Sequence, residues 1–333
     1  MLRFGIIGCG LIGQKRANAI YQLGDKARLV ACNDIDFKKA QFLANSYDTI
    51  SIYKSWHQLI EDKSIDVVLI STLHDSLAEI SYQSIKKGKH VFVEKPAGRN
   101  FSELIPVIDL ANSKSCKVRV GFNHRYHRTF QKAKKILEEE SFGKLMFIRA
   151  RYGHGARLGY EKEWRADPKL SGGGELIDQG PHLIDLARWL FGTELEYSSS
   201  SINSYFWEMP VEDNAFLILK TKASQVAFLH VSCTEWKNTF SFEIYGKRGK
   251  LVIDGLGGSY GVERLTHYKM LPQMGPPETY IYEFPMADNS WVLELKEFCD
   301  DIIQDREVEC GLKDALEVLK IIEKAYEDNK SGN

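Results

Sequence analysis

Between a short apolar run, Leu2 to Ile7, and a helical pattern that continues through Leu23 lies Gly8-Cys9-Gly10-Leu11-Ile12-Gly13. A strand that runs into glycines at this spacing and then into a helix has few folds open to it. Gly8 allows the tight turn and Gly10 lets the backbone approach a pyrophosphate. Gly13 lets the helix pack closely on the strand, and the first helical turn, from Leu11 and Ile12, attracts phosphate charge. By itself the spacing also fits a Gly-rich turn in any strand–helix unit.

The segments that follow supply the context. Arg28 to Cys32 reads as a second strand ending at Asn33-Asp34, with Asp34 roughly 20 residues past Gly13, where an acidic side chain accepts from the ribose hydroxyls of a dinucleotide. An acid there repels a 2′-phosphate and favours NAD. Lys38 and Lys39 leave NADP open, and Asp34 could instead cap the helix that begins at Phe37. The alternation goes on with a short helix near Trp56–Ile60 and a strand over 65–71. A helix over 77–87, a strand over 90–93, a helix over 101–113 and a strand over 117–122 follow. Strands separated by helices of that length predict a parallel sheet with right-handed crossovers. Its ligand rim is formed by Gly8, Asp34, Ser71-Thr72, Glu94-Lys95 and Asn123.

Composition narrows the function classes. With 333 residues the chain suits two domains, and a net charge of -1 gives no basic field for nucleic acid or an anionic membrane. No apolar run reaches the length of a membrane span, and no signal-peptide pattern precedes the first strand. Six scattered cysteines without a CxxC pair predict free thiols, a cytoplasmic location and no metal site.

A further apolar strand ends at Phe92-Val93-Glu94-Lys95-Pro96. Pro96 disfavours helical backbone at Lys95, so the lysine is expected to be extended at a strand's carboxyl end. There it can stabilise negative charge growing on a substrate oxygen. Without its context it is also what a solvated lysine after a strand looks like. Gly172-Gly173-Gly174-Glu175-Leu176-Ile177-Asp178-Gln179-Gly180-Pro181-His182 is the second informative stretch. On a continuous helix Asp178 and His182 share a face and the carboxylate can orient the imidazole. Pro181 puts that geometry in question, and on spacing alone His182 also fits a helix histidine with no chemical role.

GxGxxG, the acid after the second strand, Glu94-Lys95-Pro96 and the Gly-rich segment with Asp178 and His182 together resemble the Gfo/Idh/MocA oxidoreductase family. The resemblance implies a Rossmann domain over 1–122 and an α+β domain over 123–333 with a large open, mainly antiparallel sheet. It also implies NAD(P)-dependent hydride transfer at a hydroxyl or ketone of a sugar-like substrate. Lys95, Asp178 and His182 are then the catalytic residues, with Lys95 and His182 serving the same reacting carbon. Gly8, Gly10, Leu11, Ile12, Gly13, Asp34, Ser71, Thr72, Glu94 and Lys95 are the expected cofactor contacts. The loop Ser71-Thr72-Leu73-His74-Asp75 departs from the family's Thr-Pro-Asn type, so no side-chain roles carry over to positions 73–77.

The second half reads as a helix over 128–139 and an alternating strand over 145–152, then a helix ending before Gly192. Strands near 197–206, 215–222, 225–234, 240–245, 250–254 and 280–284 follow, with helices over 291–304 and 312–328 at the end. A sheet of this size leaves edges and a broad face, which predicts a homodimer or homotetramer through it. Arg125, Tyr126, Tyr152, Arg157, Trp164 and Arg165 are the candidate substrate contacts, and their arginines point to an acidic or nucleotide-linked sugar. Two rival functions remain, an NAD-using hydrolase or epimerase of the same family and a non-catalytic NAD sensor.

Overall fold

The computed structural model describes residues 1–47 and 50–331. The chain divides into two compact units, one of Met1–Asn123 with Trp291–Glu317, the other of His124–Ser290 with the residues from Val318 onward. The return of residues 291–317 to the first unit departs from a simple split into 1–122 and 123–333.

In the first unit the elements alternate as β1 (Leu2–Ile7), α1 (Leu11–Gln22), β2 (Ala27–Asn33), α2 (Phe37–Asn45), β3 (Ser51–Ile52), α3 (Trp56–Glu61), β4 (Val67–Ile70), α4 (His74–Lys86), β5 (His90–Glu94), α5 (Phe101–Ser113) and β6 (Val118–Gly121). The sheet order is β3-β2-β1-β4-β5-β6, and every pairing is parallel. This is the doubly wound order whose switch point lies between β1 and β4. β4 is buried along its whole length, as expected of a strand covered on both faces. The two-residue β3 left no readable run in the sequence.

The second unit holds α6 (Arg128–Leu137), β7 (Leu145–Gly153), α7 (Pro168–Ser171), α8 (Glu175–Asp178), α9 (Gly180–Phe191) and β8 (Glu196–Asn203). β9 (Asn214–Lys220), β10 (Val226–Ser232), β11 (Thr239–Gly246), β12 (Gly249–Asp254), β13 (Glu263–Lys269) and β14 (Glu278–Phe284) follow. Its eight strands are ordered β14-β13-β12-β11-β7-β10-β9-β8, antiparallel except for β10 with β7. β11 alternates half-buried and buried residues along its length, the mark of a sheet packed on one face. The chain closes with α10 (Ser290–Ile303) and α11 (Leu312–Ser331). α10 sends Leu295, Phe298 and Cys299 into the core of the first unit beside Phe4, Ile20 and Phe92. No disulfide joins any of the six cysteines. Among the described residues no helix is long and apolar enough to cross a membrane.

Candidate functional site

In the first unit, each glycine of the loop between β1 and α1 has its own physical reason. Gly8 has φ +94°, and a Cβ there would lie 2.5 Å from Ser71 O; a Cβ on Gly13 would lie 2.0 Å from Gly8 O. Gly10 differs: an added Cβ meets no heavy atom within 4 Å, so open space lies beside it. Gly10 is also the N-cap of α1 with no side-chain cap, and Leu11 beside it is 71% exposed. The first N–H groups of any helix lack intrahelical acceptors. Open space, a bare helix N-terminus and close backbone fit a diphosphate.

Asp34 faces the same loop. Its Oδ2 accepts from Cys9 N at 2.7 Å and its Oδ1 from Asp36 N at 2.8 Å. A carboxylate has about four lone-pair sites, so both oxygens keep capacity for ribose hydroxyls. It does not cap α2; Asp36 does, accepting from Lys38 N. Ser71 Oγ donates to Gly8 O at 2.7 Å, so its hydroxyl braces the loop. Thr72 Oγ1 accepts from Ser76 Oγ at 2.9 Å.

β5 ends at Glu94, and Lys95 is the first residue of a turn closed by Ala97 N donating to Glu94 O at 3.0 Å. The Lys95–Pro96 peptide bond is cis. Lys95 is half-buried. Glu94, expected at the cofactor, turns its carboxylate inward: Arg16 Nε donates to its Oε1 at 2.6 Å. The partner that claims Glu94 was not readable from the motif.

In the second unit the Gly-rich segment is explained by close approach. A Cβ on Gly173 would lie 2.2 Å from Tyr326 Oη, and one on Gly174 would lie 2.1 Å from Glu212 O. Glu212, buried, accepts from Gly174 N at 3.0 Å, Leu176 N at 2.9 Å and Tyr326 Oη at 2.7 Å. It places negative charge at the start of α8, where the helix dipole favours it.

Asp178 and His182 do not share one helix. α8 stops at Asp178 and α9 starts at Gly180 with Pro181 in its first turn. Proline cannot donate to the carbonyl one turn back, so the chain breaks there, and the i,i+4 geometry of a continuous helix is lost. Asp178 Oδ2 accepts instead from Arg165 Nε at 2.8 Å. This carboxylate, ahead of burial's opposite pull, holds the Arg165 guanidinium above its ordinary value.

Both Asp178 and His182 are 5% exposed. The His182 ring stacks on His124 with centroids 3.7 Å apart at 24°, a partner that no periodicity announced. Tyr152 lies against His124 at 5.3 Å and Tyr260 at 5.4 Å. Burial first, then Tyr260, pushes the Tyr152 phenol well above its ordinary value, so it stays a neutral donor. His154 Nδ1 accepts from Ala156 N at 3.0 Å, which leaves its Nε2 facing Glu175 Oε1 at 3.3 Å.

The remaining expected substrate contacts divide. The Tyr152 ring lies 6.2 Å from that of His182, and Arg165, paired with Asp178, has its guanidinium over the Trp164 ring at 4.6 Å. Arg125 lies on the 3-10 turn over 123–126 with the half-buried Tyr126, and its guanidinium makes a buried two-point pair with Asp185 at 2.8 and 2.5 Å. Arg157 is on an exposed loop, paired with Glu163 at 2.7 Å. Each of the three arginines already faces a carboxylate of its own unit.

A parallel sheet of order 3-2-1-4-5-6 with this loop defines a dinucleotide-binding architecture. Residues 2–122 match the model of an oxidoreductase family with an NAD-binding Rossmann fold, and residues 130–252 match the GFO/IDH/MocA C-terminal domain. The chain belongs to the GFO/IDH/MocA family, and its first unit carries that family's NAD-binding fold. It is 26% identical to myo-inositol 2-dehydrogenase of Thermotoga maritima over 90% of this chain and 88% of the relative. Its fold matches a levoglucosan dehydrogenase solved with NADH and levoglucosan at TM-score 0.89 and 22% identity, over 99% of this chain and 97% of the other. It also matches an aldose-aldose oxidoreductase of Caulobacter crescentus solved with glycerol, at TM-score 0.87 and 22% identity, over 100% of this chain and 98% of the other.

Proposed function

We propose that this chain is a dehydrogenase of a neutral polyhydroxylated ring, a cyclitol or sugar, that uses NAD. What carries the reading is the buried Asp178, paired with the half-buried Arg165, and the buried His182 in the Gly-rich segment of a chain of this family. Bound NAD supplies the hydride acceptor. His182 takes the proton of the reacting hydroxyl. Lys95 donates to the same oxygen and stabilises the negative charge that grows on it. Asp178, fixed by Arg165, accepts from a neighbouring hydroxyl. Asp34 favours NAD, because its carboxylate repels a 2′-phosphate.

A neutral substrate is preferred to an acidic or nucleotide-linked one because Arg125, Arg157 and Arg165 are each compensated by Asp185, Glu163 and Asp178. A substrate anion would compete with carboxylates already in place. The relatives' names, for inositol and levoglucosan, point the same way.

The test is absorbance at 340 nm with myo-inositol, levoglucosan and a sugar acid, each with NAD and NADP. Lys95→Ala is expected to lower kcat about 10²–10³-fold, and His182→Ala about 10²–10⁴-fold, with NADH binding kept. A Lys95→Ala enzyme with wild-type kcat would remove the mechanism, and faster turnover of the sugar acid would remove the neutral substrate.

We also propose self-association through the second unit's sheet. Helices α6 and α9 lie against one face of that sheet. Phe228 lies between Arg149 on β7 and Ile218 on β9 in register, with Phe147 farther along β7, and both Phe147 and Phe228 remain more than a third exposed. Phe228→Asp is expected to dissociate the oligomer in sedimentation velocity; a wild-type monomer would refute the proposal.

A further inference from the structure

One buried ionic cluster in the first unit is used by none of the chemistry above. Arg16 of α1 is fully buried. Its Cζ lies over the Phe92 ring at 4.3 Å and the Trp291 ring at 4.4 Å. Nε and Nη2 each lie 2.6 Å from Glu94 Oε1, and Nη1 donates to Glu294 Oε2 of α10 at 2.7 Å. Gly121 at the end of β6 makes the room: a Cβ there would lie 2.8 Å from Glu94 Oε2 and 2.9 Å from Arg16 Nη2. Next to it Arg119 of β6, also fully buried, donates to Asp301 Oδ2 of α10 at 2.6 Å. Burying a guanidinium and two carboxylates is costly, and a hydrophobic filler would hold these elements together as well. The cluster meets Glu94, and Glu94 is the residue before Lys95.

We infer that Arg16 is the positioning residue for Lys95: through Glu94 it fixes the strand end that presents the lysine, and Glu294 on α10 sets how firmly it does so. This rests on the reading of Lys95 as the group that binds the reacting oxygen. Glu94 is the last residue of β5 and Lys95 the first of the turn that follows, so a clamp on the Glu94 carboxylate holds the backbone from which Lys95 leaves, and the bond from Ala97 N to Glu94 O carries that hold through the turn. α1 is the helix whose N-terminus faces Gly10, so a single guanidinium ties the phosphate-binding helix to the lysine's strand.

The clamp is adjustable. The charged groups facing Glu294 are Arg16 from α1, Glu94 from β5 and Arg119 from β6. Burial, with the repulsion of Glu94, outweighs both arginines and pushes the Glu294 carboxyl up to about 7. Among the described residues its Oε1 meets no hydrogen-bond donor. When Glu294 is ionised it shares Arg16 with Glu94. When it is protonated, Arg16 belongs to Glu94 alone.

The test uses the full chain, reductively methylated with ¹³C-formaldehyde, with the Lys95 dimethyl resonance assigned by its loss in Lys95→Arg. In wild type that resonance is expected to show an inflection near pH 7, absent from Glu294→Gln. Glu294→Gln matches the protonated form in shape and so keeps the fold. Arg16→Lys is expected to lower kcat about tenfold or more while the Kd for NADH, read by fluorescence, stays within about threefold. A Lys95 resonance with no inflection near pH 7, or one that keeps it in Glu294→Gln, overturns the proposal. If wild type oxidises neither myo-inositol nor levoglucosan, the reading of Lys95 falls, and the resonance alone decides whether Arg16 and Glu294 govern its position.

Discussion

Gly10 separates binding from folding more cleanly than any other residue of the loop. Its backbone, at φ −68° and ψ −163°, is one alanine adopts without strain. The added methyl meets no heavy atom within 4 Å. Gly10→Ala is therefore expected to stabilise the cofactor-free protein by ~0.4–1 kcal/mol, because the unfolded chain loses freedom. That corresponds to a rise in Tm of about 1–4 °C. If the open space is where a diphosphate approaches, the same methyl holds it off the helix N-terminus. That interaction is worth up to ~2 kcal/mol, or about thirtyfold in Kd.

The assay is thermal melting with and without NADH, backed by calorimetry. Wild type with NADH at about 100 times Kd gains ~2.7 kcal/mol. The variant is expected to start higher and gain less. Gly13→Ala is the contrast, since its Cβ would lie 2.0 Å from a backbone oxygen and must lower stability with or without cofactor. A Gly10→Ala protein with wild-type affinity for NADH would refute the reasoning, because the space beside Gly10 would then have no part in binding.

Arg125→Ala is expected to cost about 3–5 kcal/mol in urea unfolding, since it leaves Asp185 buried without its two-point partner. An unchanged unfolding curve with a raised KM would return Arg125 to the substrate. Asp213 accepts from Tyr205 N, Phe206 N and Trp207 N at 2.9, 2.8 and 3.0 Å and from Asn214 Nδ2 at 3.0 Å. Burial pulls its carboxyl up, but these donors together hold it below the ordinary range. Its contribution is thus present above the unfolded value near 3.8 and is lost as pH falls through the lower folded value. Asp213→Asn is expected to destabilise by about 2–3 kcal/mol at neutral pH and to flatten the acid limb of a stability–pH curve. An unchanged acid limb would place the dependence elsewhere.

The legibility of the chain follows the range of the forces involved. The Gly8–Gly13 loop, the parallel order and the acid at Asp34 were readable because a strand–turn–helix unit is local and its glycines answer to local close approach. β13 was not readable: Glu263, Thr266 and His267 are buried although polar, so the strand shows no apolar alternation. Glu263 is held by His127 Nδ1 at 2.6 Å, 136 residues away. The hold of Arg16 on Glu94 has no local signature, because the two lie 78 residues apart, and Arg16 bonds Glu294 across 278 residues. The break between α8 and α9 was half legible, since Pro181 announces it but does not tell that Arg165 takes Asp178. His124 carried no signal, because a stacking partner obeys no spacing rule.

The membership of residues 291–317 in the first unit bears on how the chain is born. A nascent protein normally folds its N-terminal portion first as it leaves the ribosome. Here Arg16 and Phe92 emerge early, yet Glu294, Leu295 and Phe298 arrive only after every strand of the other sheet has been synthesised. Until then a guanidinium and aromatic surface stand uncovered, and a fragment that stopped at residue 123 would keep them so.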